Sequence, residues 1–336
     1  MKFALMVYNS RHDIFNVGDF IQSLAAKQFL PSVDTYVDRE NLDLYDGDPV
    51  KLIMNGWFMH DPTHWPPSDK ISPLFVAFHL NSSIYHILED QAVLDYFKKH
   101  EPIGCRDMMT VKKLQGKGIE AYFSACMTLT LGYKYKSNKR RNDNIYFTDP
   151  YCPAEKNIIK LLPIVFRGIF SFSIVKHIME GLYRSRSLAN FVRACNFYDK
   201  YKSFFTDEVL KSAIFIQQEI PDNVGDYDDK FALAESLLEK YANAKFVVTS
   251  RIHCALPCLA LDTPVLYVEN GNDKMISRCR LDGLLDFFHR IIWDGKRAKC
   301  TVIEKQIDLD FSFVNKPNYM YYRDRLMKVS QYFVSK

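Results

Sequence analysis

Short apolar runs rich in β-branched and aromatic residues alternate along this chain with longer stretches of helical spacing. This alternation constrains the fold more than any other feature, because it is the pattern of parallel strands joined by crossover helices. In the first half strands are expected near 2–8, 51–54, 74–79 and 102–105, and helices near 20–29, 89–99 and 108–116. In the second half strands are expected at 144–147, 213–216, 245–248 and 264–268, with helices at 229–241 and 254–261. At 336 residues the length suits two units of about 150 residues each. The reading is α/β, two Rossmann-like domains facing a central cleft. The first spans 1–140 and the second 141–315, with a basic helical insertion at about 156–206. A helix at 318–334 follows the completed second unit and is placed to cross back to the first.

Composition narrows the class. The hydrophobic fraction is 48% and the charged fraction 25%, ordinary for a folded globular chain and unlike a disordered, collagen-like or coiled-coil one. A net charge of +4 is too small to imply a nucleic-acid partner. The charge is unevenly spread: Lys156 to Lys202 holds nine Lys or Arg against two acids, Glu180 and Asp199. The eight cysteines form no CxxC and no Cys/His zinc spacing, so they read as reduced core thiols of a cytosolic protein, with no metal expected. The opening Met1–Tyr8 reads as a buried strand without a signal-peptide cleavage site. No stretch has the ~18 uninterrupted apolar residues of a membrane span. In such folds ligands sit beyond the carboxyl ends of the strands, so residues just after strands carry the functional expectation.

Four such places stand out. Val247 to Pro257 runs from a buried strand through Thr249, Ser250, Arg251, Ile252 and His253 into a helix. Helix amides beside an arginine suit an anion, and a histidine there can move a proton near neutral pH. The plain structural alternative has Ser250 capping the helix. Asn16, Gly18 and Asp19 follow the first strand, with Asp19 placed to cap the next helix. They do not form the GxGxxG dinucleotide fingerprint. Arg106 and Asp107 fall at a strand end and helix start, where an ion pair between them is the structural alternative. Trp57 and Phe58 follow another strand, suited either to stacking on a sugar face or to core packing.

At these places together the sequence resembles the polysaccharide pyruvyl transferase family. The resemblance rests on Asn16-x-Gly18-Asp19, Gly56, Arg106-Asp107 with Thr110, Ser250-Arg251-Ile252-His253, Thr263-Pro264-Val265 and Asp273-Lys274. It runs in order over roughly 5–290. It implies a GT-B-like pair of Rossmann-like domains and transfer of pyruvate from phosphoenolpyruvate to sugar hydroxyls as a cyclic ketal, with phosphoenolpyruvate as co-substrate and no cofactor. The implied acceptor is a sugar or a lipid-linked oligosaccharide of a cell-surface polysaccharide. The implied location is cytoplasmic, with peripheral contact at the inner face of the membrane as a further expectation. Carried over residue by residue, Arg251 and His253 become the catalytic pair. Ser250, Arg251, Ile252, Lys274 and Arg278 would bind the donor, and Asn16, Gly18, Asp19, Trp57 and Arg106 the acceptor. Two segments depart from the family pattern. Ser124–Leu129 lacks the usual aspartate, and Phe147-Thr148-Asp149 stands where relatives often carry an arginine. Another cation is then needed, with Lys274, Arg278 and Arg280 as candidates.

Two other readings stay open at the level of sequence. A GT-B glycosyltransferase using a nucleotide sugar would want an acid after a second-domain strand, and Glu269-Asn270 offers one. A non-catalytic sugar-binding assembly protein is the other. The basic aromatic segment Lys156–Lys202 lies either at the acceptor side or on a membrane surface, the structural alternative being a satellite core of its own aromatics beneath solvated charges.

Overall fold

The structure, a computed structural model, describes residues 1–9, 14–137, 140–183, 185–272, 279–295, 297–302 and 305–336. Two six-stranded sheets form its frame. The first is fully parallel. Strand β1 (Lys2–Val7) lies between β3 (Thr35–Asp38) and β4 (Val50–Phe58), and β5 (Ile71–Leu80), β6 (Ile103–Cys105) and β7 (Ala121–Phe123) continue the order outward from β4. In the second, β8 (Ile145–Thr148) lies between β9 (Ile214–Ile216) and β11 (Phe246–Thr249). Beyond β11 come β12 (Val265–Asn270), parallel β13 (His289–Asp294), and an antiparallel edge, β14 (Arg297–Cys300). These are the two Rossmann-like units expected. Each has a point where chain order reverses, between β1 and β4 in one sheet and between β8 and β11 in the other.

Strands β3, β7, β13 and β14 escape a reading of the sequence. The first two are only four and three residues long, and β13 and β14 mix charged with apolar positions, so their apolar periodicity is weak. Helix boundaries also shift. Helix α1 (Val17–Lys27) begins earlier than expected because Asn16, not Asp19, caps it, accepting a hydrogen bond from Gly18 N at 3.0 Å. Helix α10 (Ile252–Ala260) begins immediately after Arg251.

The two units are joined by more than a linker. A continuous apolar core takes Phe20, Leu24 and Ala25 of α1 together with Leu238 of α9 (Tyr227–Asn243) and Leu256 and Leu259 of α10. A small antiparallel ladder pairs β2 (Ile14–Asn16) with β10 (Glu219–Pro221) across the same boundary. The C-terminal helix, Met320–Ser335, returns to the first unit: Lys51 Nζ donates to Phe333 O at 2.9 Å, and Ser330 packs on Met127.

Between β8 and β9 lies the basic segment. Helices α5 (Ile158–Phe170), α6 (Phe172–Leu182) and α7 (Leu188–Tyr201) cover one face of the second sheet. Its aromatics divide. Phe197 and Tyr201 are buried in the core of that sheet, whereas Phe166, Phe170 and Phe172 are exposed.

Candidate active site

A cavity of about 690 Å³ opens between the two sheets, within the range of small-molecule sites. Its walls come from chain just beyond strand ends. Tyr8 follows β1, Arg39 follows β3, Trp57 closes β4 and Arg106 follows β6; Asp149 follows β8 and Ser250 follows β11. The β1, β4, β8 and β11 positions flank the reversal points of the two sheets, where doubly wound folds place their ligands.

His253 stands in the first turn of α10, on the floor where the units meet. Gly18 backs it. A Cβ built on Gly18 would lie 3.2 Å from His253 Cβ and 3.0 Å from Asn16 Oδ1, so the bare backbone lets α1 approach the imidazole. From the other side Arg106 Nη1 reaches to 3.5 Å from His253 Nε2 and 3.4 Å from Gln22 Oε1. Arg106 is 2% exposed and its Nε has no hydrogen-bond partner among the described residues. The expected Arg106–Asp107 ion pair does not form. Asp107 instead caps α3 (Met108–Gln115) through Thr110 N at 2.9 Å and takes His79 Nδ1 at 2.5 Å.

Arg251 is held by two carboxylates, Asp149 Oδ2 at 3.0 Å from Nε and Glu219 Oε1 at 2.7 Å from Nη1. Asp149, in the segment expected to depart from the family pattern, thus has a structural role: it clamps Arg251. Asp149 also accepts from Gln218 N at 2.9 Å, tying β8 to the inter-unit ladder. Ser250 does not cap α10. Its hydroxyl donates to Val268 O at 2.7 Å and accepts from Tyr151 N at 2.7 Å, so it pins the loop after β8 to the strand ends.

On the first unit's side, Arg39 lies over Tyr8 at 4.0 Å and over Trp57 at 5.3 Å, and donates to Asp19 Oδ1 at 3.3 Å. Trp57 also meets the His60 ring at 4.4 Å between centroids. A bulge where β4 slips register, between Met54 and Gly56, re-aims the strand end towards the cavity. Gly56 there has φ of +124°, a conformation that favours glycine.

Arginines outnumber acids among the described cavity residues, and the acids Asp19, Asp149 and Glu219 are each bonded to Arg39 or Arg251. Arg106, Arg251, Arg39 and Arg280 all line the cavity. Withdrawal from water, then the fields of Arg106, Arg280, Arg39 and Arg251, push the His253 pKa well below the ordinary histidine range. The imidazole is therefore neutral at physiological pH and keeps a lone pair for a proton. Carboxylates offset Arg39 and Arg251, whereas the buried Arg106 has no carboxylate partner among the described residues, so its charge is the one best placed to meet an anion.

The residues expected from the sequence converge. Ser250, Arg251, Ile252, His253, Asn16, Asp19, Trp57 and Arg106 all line this one cavity, with Gly18 directly behind His253. Arg106, expected on the acceptor side, touches His253. Lys274 and Arg278 lie outside the described residues, as does Arg184 of the basic segment. Of the candidate extra cations Arg280 lines the cavity. Sequence reading missed Tyr8, Arg39, His60 and Gln218. Arg39 follows a strand too short to recognise, whereas Tyr8 directly follows a strand that was recognised and was open to the strand-end rule.

No curated protein matches the chain. The family model for polysaccharide pyruvyl transferase matches residues 16–272, from the cap of α1 to just beyond β12, a span that takes in Asn16, Arg106, Arg251 and His253. That match covers most of the chain and agrees with the paired Rossmann-like units and the cavity between them: the chain belongs to the polysaccharide pyruvyl transferase family.

Proposed function

We propose that the protein transfers pyruvate from phosphoenolpyruvate to two hydroxyls of a sugar, forming a ketal on a cell-surface polysaccharide or its precursor. The observation that carries this reading is His253 set among arginines in the cavity between the two units, with Arg106 Nη1 at 3.5 Å from its Nε2. Phosphoenolpyruvate brings a phosphate and a carboxylate, about three negative charges, and guanidiniums match both groups in bidentate geometry. Arg106, Arg251 and Arg280 are the cations proposed to hold it, and Ser250 and Ile252 shape the loop beside it. Asn16, Asp19 and Trp57 are proposed to face the acceptor, with Trp57 offering an aromatic face to the sugar ring.

His253 serves as the acid and base. Its lone pair takes the proton of the first sugar hydroxyl while that oxygen bonds to C2 of phosphoenolpyruvate. As that bond forms the C2–C3 π pair shifts to C3 and there takes the proton back from the imidazolium, so C2 keeps four bonds and C3 becomes the methyl group. The C2–O bond to phosphate breaks next, phosphate leaving with that electron pair. The second hydroxyl oxygen bonds to C2, and its proton leaves with the phosphate. Electrostatics couple the donor to this step: an imidazolium is disfavoured among arginines and is tolerated once the donor's charge offsets them.

The nucleotide-sugar reading loses its sequence support. Glu269 lies buried within β12, bonded to Arg290 Nη1 at 2.8 Å, and does not line the cavity. Thermal shift with phosphoenolpyruvate against uridine and guanosine diphosphates tests the choice. Stabilisation by phosphoenolpyruvate is expected; stabilisation by a nucleotide alone overturns the proposal. Mass spectrometry of surface glycans with and without the gene then seeks the mass of a pyruvate ketal.

A further inference from the structure

Helix α5 presents an apolar face to solvent. Ile158, Ile159, Leu162, Phe166, Ile169 and Phe170 are all exposed, Ile159 at 79%, Phe166 at 62% and Phe170 at 77%. At 3.6 residues per turn these six fall within a sector of about 120°. The opposite side is the one that packs. Ile164 and Gly168 are buried, and a Cβ on Gly168 would lie 2.4 Å from Cys195 Sγ of α7. The exposed stripe is therefore not a core face displaced by a small rotation, because Gly168 fixes which side meets α7. Phe172, at the start of α6, extends the apolar surface. A contiguous exposed apolar surface of this kind marks an interaction site.

Charge identifies what covers it. Lys160 and Arg167 lie beyond one edge of the stripe, about 80° and 60° further round the helix, and Lys156 and Lys176 are exposed nearby. The two acids of the segment are already joined to cations, Asp199 to Arg167 and Glu180 to Arg186, each at 2.7 Å. Apolar side chains flanked by lysine and arginine suit the boundary between acyl chains and anionic headgroups. Length decides between lying on a bilayer and crossing it. α5 has 13 residues, about 20 Å at 1.5 Å per residue, against a hydrocarbon core of about 30 Å. α5 and α6 meet at 106°, and among the described residues no single helix is long and apolar enough to cross a membrane.

We propose that α5 and the start of α6 dock on an anionic lipid bilayer, lying in its interface. The stripe is joined to the cavity through the chain: Asp149 and Tyr151 line the cavity, and the same loop runs on to Asn157, which caps α5. The proposal goes beyond pyruvyl transfer and does not depend on the identity of the donor.

Flotation of the full chain with phosphatidylglycerol/phosphatidylethanolamine vesicles, against pure phosphatidylcholine vesicles, tests it at low salt and at about 150 mM salt. Binding to the anionic vesicles at least tenfold tighter than to the neutral ones is expected. The double variant Phe166→Ser/Phe170→Ser should lose binding at least tenfold, while its unfolding temperature and phosphoenolpyruvate affinity match the unaltered protein. No binding to anionic vesicles at either salt overturns the proposal, as does binding that the double variant leaves intact. A dimer that the double variant dissociates, without vesicle binding, assigns the face to a second copy of the chain and likewise overturns it.

Discussion

Arg106 Nη1 and His253 Nε2 approach to 3.5 Å across 147 positions of sequence and across the boundary between the two sheets. The contact joins a nearly buried guanidinium to the imidazole that carries the proposed proton transfer. It makes the cavity a single electrostatic unit and not two half-sites that meet only when substrate is present.

Removal of the imidazole is the first test. His253→Ala is expected to lower the rate of phosphate release from phosphoenolpyruvate by about 10²–10⁴-fold, the usual worth of a positioned acid–base group. The unfolding temperature should fall little, since the ring lies at the cavity floor. Turnover within a factor of two of the unaltered protein removes His253 from the chemistry.

The depressed His253 pKa has a calorimetric consequence. Without ligand the group is neutral at pH values where a free histidine is half protonated. A bound anion offsets the arginine field and raises the pKa, so binding takes up a proton in the window between the free and bound values. Affinity for phosphoenolpyruvate should therefore fall as pH rises through that window. Titrations in buffers of different ionisation enthalpy should show net proton uptake, and His253→Gln should abolish it. Equal enthalpies in all buffers count against the coupling.

Stability responds with its own sign. A histidine whose folded pKa is depressed contributes stability above its unfolded pKa of about 6.5 and loses it as pH falls below that value. The free protein should lose stability on acidification from pH 7 to 5 more steeply than His253→Gln does. His79, His100 and His289 share this direction, each chiefly through burial, so the difference between the two proteins isolates His253. Parallel denaturation curves across that range would show no contribution from it.

The arginines should separate by how they are held. Arg251→Lys keeps a charge but loses the fork between Asp149 and Glu219, and its donor affinity should fall about tenfold. Arg106 has no carboxylate partner among the described residues, so its charge is the more available to a ligand. Charge-assisted hydrogen bonds are worth about 1.5–3 kcal/mol, and Arg106→Gln should weaken donor binding by about 10–100-fold, more than Arg251→Lys. Calorimetry ranks the two; the reverse order would make Arg251 the principal donor contact.

Gly18→Ala tests how closely α1 backs the imidazole. In an ordinary helix this change stabilises by about 0.5–1 kcal/mol. Here the added methyl would press on His253 Cβ at 3.2 Å and Asn16 Oδ1 at 3.0 Å. No gain in unfolding temperature and a several-fold loss of turnover are expected. A more stable, fully active variant would show that the ring has room to move.

The sequence by itself determined the two α/β units, most of their strands, and several of the strand-end residues that line the cavity. Apolar periodicity is local, and residues such as Ser250 to His253 follow directly from a strand that reads clearly. The motif set also sufficed to point to the family. Tertiary structure alone decided which charges meet. That Asp149 clamps Arg251, that Asp107 turns to His79 and leaves Arg106 to His253, and that Arg39 joins the cavity depends on contacts between residues tens to more than a hundred positions apart. No local spacing encodes them. The same holds for the basic segment. Its composition mixes cations and aromatics throughout, but only the close packing of Gly168 on Cys195 settles that Phe197 and Tyr201 go inward while Phe166 and Phe170 face out.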